Sequence, residues 1–198
     1  MKKEFLPYNT VRNNAFKLAK KMLDDGFIPD VIYSSMRGGA YLANCISEFF
    51  KVACKDKKIS FGAIVISSYS GIAEKSKISS ENWTINPINF IDNKRILLAD
   101  DIFDSGATIN YLVDKLFKIG IKPENLKVAV HDYKQFAYKP KLLHLPDYYC
   151  RKFEIKTPED DLWIHYLSHE LVGLTKEELE KYYYKDDPEL KNVLGPYF

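Results

Sequence analysis

The sequence predicts an α/β fold, an open and mostly parallel twisted sheet with helices on both faces. Short β-branched or continuously apolar runs alternate with amphipathic helical patterns, and glycine turns separate them. The run Ile96-Leu97-Leu98-Ala99 is apolar at every position, as is typical of a central parallel strand that is buried on both faces. Ligands of such sheets bind at the carboxyl ends of the strands, so functional residues are expected there.

The elements follow one another along the chain with few interruptions. Apolar residues from Val11 to Leu23 share one helical face, and Gly26 ends that helix. A polar stretch from about 69 to 93 is predicted to be a long loop or a loose hairpin. Further strands are predicted at 30–34, 61–66, 95–99 and 126–130, and further helices at 40–50, 109–117 and 177–184.

Composition bounds the class of protein before any motif is considered. The 198 residues are enough for one globular domain, 1–198, and their net charge of +2 favours neither nucleic acid nor a membrane as partner. No apolar run approaches the roughly 18 residues of a membrane span, and the first ten residues do not have the pattern of a signal peptide. Three cysteines without a CxxC pair favour a reducing, cytoplasmic location.

The most informative segment follows the apolar strand. Asp100 and Asp101 are adjacent carboxylates, which are unfavourable at a strand end unless sugar hydroxyls or a hydrated Mg²⁺ bind them. The next residues, 104–108 (Asp-Ser-Gly-Ala-Thr), place small and hydroxyl side chains where a helix begins, and the backbone N–H groups there favour a phosphate monoester. Together they predict a ribose 5-phosphate site. The alternative is an N-capped helix beside solvated aspartates.

Residues 97–109, LLADDIFDSGATI, resemble the phosphoribosyl pyrophosphate (PRPP) motif of type I phosphoribosyltransferases. The resemblance implies that Asp100 and Asp101 hold the ribose 2′- and 3′-hydroxyls and contribute to a Mg²⁺ site through water or the ribose. It also implies that the 5′-phosphate binds a loop formed by Ser105, Gly106, Ala107 and Thr108.

Two residues of this motif bear on the chemistry expected of it. Ala107 stands where the family usually has a second glycine, a small departure that leaves the backbone contacts possible. Asp104 matches the residue that lies near N7 of the base in purine enzymes, so the resemblance implies a catalytic role for it.

Residues at two other predicted strand ends resemble two further sequence motifs of the same family. Arg37 and Gly38 match the pyrophosphate loop, in which the peptide before the arginine is often cis, although a plain strand-to-helix turn would have the same sequence. Ser68 and Tyr69 match the Ser-Tyr pair of a catalytic flap that closes over PRPP, although the sequence alone also fits a surface turn.

The resemblance to xanthine-guanine and hypoxanthine-guanine enzymes suggests a base site. Lys134 best matches the lysine that hydrogen-bonds O6 of a 6-oxopurine, with Lys139 as the competing assignment. Trp163 would stack on the purine, and the backbone of Ile164 would contact its edge. Glu170 ends Leu-Ser-His-Glu where relatives have Pro-Trp-Glu, so it is only a candidate for the base edge or Mg²⁺.

The resemblance therefore implies a Mg²⁺-dependent transferase that joins the phosphoribosyl group of PRPP to guanine, xanthine or hypoxanthine. Its organisation would be a core at about 27–134, a flexible flap at 68–93, a small base-binding hood at 135–170 and a helical tail at 171–198. A homodimer or homotetramer is expected. The alternatives are a regulatory protein of the same fold that senses PRPP or a nucleotide, and a phosphoribosyltransferase for another base such as orotate or adenine.

Overall fold

Strands and helices alternate along the part of the chain that the computed structural model describes, which is residues 2–69, 77–140 and 142–198. The strands are β1 (Lys2–Leu6), β2 (Val31–Met36), β3 (Ser60–Tyr69), β4 (Lys77–Trp83), β5 (Ile96–Phe103), β6 (Leu126–Phe136), β7 (Tyr148–Ile155) and β8 (Leu162–Tyr166). The α-helices are α1 (Tyr8–Asp24), α2 (Ala40–Ala53), α3 (Ala107–Lys118), α4 (Lys176–Leu179) and α5 (Leu190–Leu194).

Residues 9–161 form one compact unit around a six-stranded sheet in the order β4-β3-β2-β5-β6-β7. All neighbouring strands pair in parallel except β3 and β4, which are antiparallel. The predicted α/β fold with a mostly parallel sheet is confirmed. The chain leaves β2 towards one edge of the sheet and β5 towards the other, so the strand order reverses between β2 and β5. Such a reversal opens a crevice at the carboxyl ends of the two strands.

Both faces of this sheet are covered, which explains the continuous apolar run of β5. Leu97 packs with α1 and α2 on one face, whereas Ile96 and Leu98 pack with α3 on the other. These three side chains are at most 1% exposed. A parallel strand buried on both faces needs apolar residues at every position, and this requirement fixes where the polar residues of β5 can begin.

A buried polar network joins α1, β6 and β7. The Asn14 side-chain amide lies 3.1 Å from Nε2 of His131, whose Nδ1 lies 3.0 Å from Oδ2 of Asp132. The guanidinium of Arg151 donates to Oδ1 of Asp132 at 2.5 Å. His131 and Asp132 are fully buried. Burial, with the nearby Asp132 charge, also raises the pKa of the Cys150 thiol to about 12, so this thiol stays protonated at neutral pH.

Residues 2–8 and 162–198 form the second unit. Its strands β1 and β8 pair in parallel, from Lys2 opposite Leu162 to Leu6 opposite Tyr166. Its small core contains Leu174, Leu179 and Tyr184. A capping box between Thr175 and Glu178 starts α4, and a π-helical turn, Glu180–Tyr184, continues it. Within the described residues, no helix combines the length and the apolar character that a membrane span requires.

The structure corrects several predicted boundaries. β5 extends through Asp101 to Phe103 rather than ending at Ala99, and β6 extends to Phe136 rather than ending at 130, so both strands carry their polar residues inside the sheet. The stretch predicted as a long loop or hairpin contains β4, which makes a hairpin with β3; residues 70–76 lie outside the described part. The tail helix predicted at 177–184 is confirmed as α4 and its π-helical continuation.

The strands β1, β7 and β8 were not predicted, and the reasons are physical. The sequence of β1, Lys-Lys-Glu-Phe-Leu, is mostly charged, and β1 and β8 pair with each other across more than 150 residues of sequence. β7 forms an edge of the sheet, where only one neighbour pairs with it and exposed residues interrupt the apolar pattern. Contacts so distant in sequence leave no local periodicity.

The buried network gives a stability prediction. Arg151→Met leaves Asp132 without its guanidinium partner, so we expect the free energy of unfolding in urea to fall by roughly 3 kcal/mol or more. Adding Asp132→Asn removes the uncompensated charge and should recover a large part of this loss. The control is Lys152→Met on the same strand, whose exposed pair with Glu154 contributes under about 1 kcal/mol. Equal losses for Arg151→Met and Lys152→Met would contradict this account.

Candidate active site

The ends of β2 and β5 meet at the crevice because two glycines follow β2. A Cβ atom added to Gly38 would overlap the carboxylate of Asp101, and one added to Gly39 would come within 2.8 Å of the Asp100 Cα. Only residues without side chains permit this approach. The loop that carries Arg37 and Gly38 is therefore held directly against the two acids of β5.

Arg37 lies at the mouth of this crevice. Its side chain is exposed, and the peptide bond between Met36 and Arg37 is cis, as the resemblance implied. The backbone N–H of Gly39 donates to the carbonyl of Ser35 at 2.9 Å, which closes the turn. An exposed guanidinium beside a glycine backbone is suited to the oxygens of a diphosphate.

The two acids differ in their surroundings. Burial raises the pKa of the Asp100 carboxyl well above its usual range, and the charge of the neighbouring Asp101 raises it further. The backbone N–H of Asp101 donates to Oδ1 of Asp100 at 3.0 Å, and Oδ1 of Asp101 accepts the N–H of Ile102 at 2.8 Å. A cation or a pair of sugar hydroxyls placed here would relieve the repulsion between the carboxylates.

The predicted phosphate loop begins helix α3. Gly106 has a φ of 71°, in the left-handed region that favours glycine, and a Cβ there would overlap Phe103 and Leu142. Oγ of Ser105 lies 3.4 Å from the backbone nitrogen of Ala107. Ser105 and Ala107 are exposed and Thr108 is partly exposed, so the first turn of a 12-residue helix faces solvent with its N–H groups available to an anion.

Lys134 lies on β6 beside this loop and is only 5% exposed. Its Nζ donates to Oδ1 of Asp161 at 2.8 Å and lies 3.7 Å from Oδ1 of Asp104, the predicted catalytic residue. Asp104 is half exposed. The structure thus brings Asp104 and Lys134 together, and it adds Asp161, which sequence reasoning did not identify. Asp161 follows Lys134 by 27 residues, so no local pattern could have indicated the ion pair.

A pocket of about 690 Å³ extends from Asp104 and Lys134 under the segment that follows β6. Its walls include the aromatic side chains of Phe103, Tyr133 and Phe136. Lys139 also lines the pocket, but its Nζ lies 3.2 Å from the centre of the Phe136 ring, a cation–π contact. Both lysines considered for the base therefore border one pocket, and only Lys134 is next to Asp104.

Trp163, Ile164 and Glu170 belong to the second unit rather than to the unit that holds this pocket. Trp163 is 49% exposed, whereas the Ile164 side chain is buried. Oε2 of Glu170 accepts the backbone N–H of Tyr166 at 2.9 Å, so this carboxylate already stabilises a turn. The roles suggested for these three residues stay predictions.

The flap residues are described in part. The backbones of Ser68 and Tyr69 form the last two positions of β3, just beyond a register shift against β4. Their side chains lie outside the described part of the chain, so their predicted contact with PRPP stays a prediction.

Residues 7–165 match the phosphoribosyl transferase domain family. The chain belongs to this family. The predicted membership of the phosphoribosyltransferases is confirmed, and with it the transferase class. No match was found among curated proteins.

Solved structures similar to this phosphoribosyltransferase include a purine phosphoribosyltransferase from Pyrococcus horikoshii Ot3. It is 26% identical, has a TM-score of 0.64, and is matched over 100% of its length by 89% of this chain. Also similar is a hypothetical protein from Neisseria gonorrhoeae with bound ppGpp. Its sequence identity is 20% and its TM-score 0.64, and the match covers 86% of this chain and 91% of that one. A hypoxanthine phosphoribosyltransferase from Staphylococcus aureus (20%, TM-score 0.57, 75% of each chain) shares the fold.

The raised pKa of Asp100 gives a prediction about stability without ligand. Because folding raises this pKa above the ordinary aspartate value of 3.8, the wild type loses stability relative to Asp100→Asn as pH rises through the raised value. At pH 7 we expect the variant to melt higher by about 2–4 °C, which corresponds to about 1 kcal/mol in a chain of this size. The difference should shrink towards pH 4.

Thermal melts at both pH values, with Asp56→Asn as an exposed control, check this prediction. Asp56→Asn should leave the melting temperature unchanged. A lower melting temperature for Asp100→Asn at pH 7 would contradict the account of Asp100 as a functional residue that costs stability.

Proposed function

We propose that this phosphoribosyltransferase transfers the 5-phosphoribosyl group of PRPP to a 6-oxopurine, which gives the nucleoside 5′-monophosphate and pyrophosphate. One observation carries the choice of base. The Lys134 ammonium and the Asp104 carboxylate lie 3.7 Å apart on the wall of a largely apolar pocket that begins at the predicted phosphate loop. A donor for a carbonyl oxygen and an acceptor for a ring N–H, side by side, match O6 and N7 of such a purine.

The remaining groups of PRPP would be held along the crevice. The 5′-phosphate would bind the backbone of residues 105–108, where the N-terminal end of α3 favours an anion. The ribose hydroxyls would bind Asp100 and Asp101, which lie within β5 just ahead of that loop. The pyrophosphate would bind Arg37 and the backbone of Gly38, which lies directly against the Asp101 side chain.

Mg²⁺ fits the donors at the β5 end. Asp100 and Asp101 offer hard carboxylate oxygens, and their repulsion favours a cation. No cluster of three or more metal-ligating side chains is found among the described residues, so two carboxylates would be completed by water and PRPP oxygens, as Mg²⁺ sites commonly are. A Mg²⁺ ion held there would supply positive charge to neutralise the leaving pyrophosphate.

Asp104 would act as the general base. As N9 of the purine forms its bond to C1′, the C1′–O bond to pyrophosphate breaks and its electron pair leaves with the pyrophosphate. The proton on N7 would pass to the Asp104 carboxylate, which is half exposed and therefore accessible to the base. The acids of β5 would support positive charge at C1′ in the transition state.

Other parts of the proposal rest on the family resemblance. Ser68 and Tyr69 would cover the reacting centre, Trp163 would stack on the purine, Ile164 would contact its edge, and Glu170 is retained as a candidate. We also propose a homodimer or homotetramer. The three cysteines are free thiols, which supports a reducing, cytoplasmic location.

A second candidate is a protein of this fold that binds PRPP or a nucleotide without turnover. The similarity to a protein with bound ppGpp makes it worth testing. The presence of Asp104 beside Lys134 favours the enzyme, because a binding protein needs the phosphate loop and the acids but no proton acceptor at N7.

The proposal is tested by incubating the full chain with PRPP, Mg²⁺ and each base in turn, and by measuring pyrophosphate release. We expect release with guanine, hypoxanthine or xanthine and essentially none with adenine or orotate. Release with adenine or orotate alone would overturn the proposed 6-oxopurine specificity and identify that base as the substrate. PRPP binding by calorimetry without release for any base would favour the sensor.

Asp104→Asn should reduce turnover by on the order of 10²- to 10⁴-fold, the usual contribution of acid–base catalysis, because the amide keeps the shape but accepts no proton. PRPP affinity should stay within about twofold, since Asp104 lies beside the base pocket rather than at the pyrophosphate loop. Steady-state kinetics and PRPP calorimetry measure the two quantities. Wild-type turnover in the variant would make Asp104 structural.

Lys134 should determine the choice of base. An ammonium group has donors only, so it matches a 6-oxo group and opposes the amino group of adenine, a mismatch that can cost roughly 10⁴-fold. Lys134→Met should therefore raise the KM for 6-oxopurines by tenfold or more. Lys139→Met is the matched control, because that ammonium lies over Phe136. A larger effect in Lys139→Met would reassign the base contact to Lys139.

A further inference from the structure

Asn110 lies on α3, one turn after Gly106, and its side-chain amide uses both its donors and its acceptor. Nδ2 donates to the carbonyl of Gly106 at 3.0 Å and to the carbonyl of His144 at 2.8 Å. Oδ1 accepts the backbone N–H of His144 at 2.9 Å. One side chain thus pairs with both backbone polar groups of His144 and, at the same time, with the phosphate loop.

The segment around His144 forms a wall of the pocket. Leu142 and Leu145 line the pocket, and the Leu142 side chain also lies where a Cβ on Gly106 would stand. A second contact from α3 reaches the same segment, because Oδ1 of Asp114 lies 2.9 Å from Nε2 of His144. The wall is therefore attached to the helix that begins with the phosphate loop.

Asn110 is the one side chain for which hydrogen bonds are seen, within the described residues, to both the loop and the wall. We propose that Asn110 is a positioning residue that sets the distance between the 5′-phosphate site and the base pocket. This inference rests on the proposed function, because it takes the loop as the phosphate site and the pocket as the base site. Asn110 touches neither substrate.

The affinity of a ligand that occupies both sites depends on the distance between them. Once its phosphate is bound, its base enters the pocket as an intramolecular event, and the gain in affinity depends on how well the two sites are aligned. A fragment that fills one site gains nothing from the alignment. Loss of the positioning residue should therefore weaken the binding of a nucleotide far more than the binding of either fragment.

The experiment measures the dissociation constants of inosine 5′-monophosphate, ribose 5-phosphate and hypoxanthine by calorimetry, with the full chain. Asn110→Ala removes all three hydrogen bonds. Asn110→Leu keeps the approximate size of the side chain and loses the same hydrogen bonds without adding a charge near the phosphate loop. Asp114→Asn is the matched control, because it weakens the second contact to His144 without touching the phosphate loop.

We expect both Asn110 variants to bind inosine 5′-monophosphate at least tenfold more weakly, with each fragment changed by less than threefold. Asp114→Asn should change all three constants by less than threefold. Unchanged nucleotide affinity in the Asn110 variants would overturn the proposal. So would an equal loss for ribose 5-phosphate, since Asn110 would then support the phosphate loop alone.

A measurement on the wild type keeps the proposal testable if the variants do not fold. Hydrogen exchange at the His144 amide, which donates to Asn110, should slow at least tenfold when inosine 5′-monophosphate fills both sites, and by less than threefold when ribose 5-phosphate fills the loop alone. Unchanged exchange in the nucleotide-bound protein would overturn the positioning role. Failure of the wild type to bind any of the three ligands would instead overturn the proposed function, and the inference with it.

Discussion

The close approach of the β2–α2 turn to the end of β5 is the constraint on which the candidate site depends. A side chain at Gly38 would overlap the Asp101 carboxylate, and one at Gly39 would overlap the backbone of Asp100. Only glycine fits at both positions. This contact lies where the strand order reverses, so a loop of glycine backbone and a pair of carboxylates open into one crevice. A side chain at Gly38 would displace a carboxylate and separate the two halves of the site.

The groups at this crevice are unfavourable for the protein alone and favourable for a charged ligand. Asp100 carries a raised pKa because it is buried beside a second carboxylate, so its ionisation at neutral pH costs the folded protein stability. The Lys134 ammonium is buried too, but Asp161 stabilises it at 2.8 Å and leaves Asp104 as the more distant partner. In our account, Asp161 satisfies the charge of the lysine, so Asp104 keeps the exposure that a proton acceptor needs.

Local patterns predicted the parts of the fold that local physics determines. The apolar run of β5, the acids after it and the predicted phosphate loop are contiguous in sequence, and one segment of the sequence therefore indicated all three. The contacts of Asp161 with Lys134 and of Asn110 with His144 join residues 27 and 34 positions apart, and only the folded chain shows them. The base-binding hood predicted for 135–170 includes the boundary between the two units, which follows Asp161.

The most direct test is a crystal structure of the protein with a purine nucleoside 5′-monophosphate. The account predicts the 5′-phosphate on the backbone N–H groups of residues 105–108 and the ribose hydroxyls within about 3.2 Å of the Asp100 and Asp101 carboxylates. The base should lie between Asp104 and Lys134. A nucleotide bound with its phosphate away from this loop would contradict the assignment of the crevice as the PRPP site.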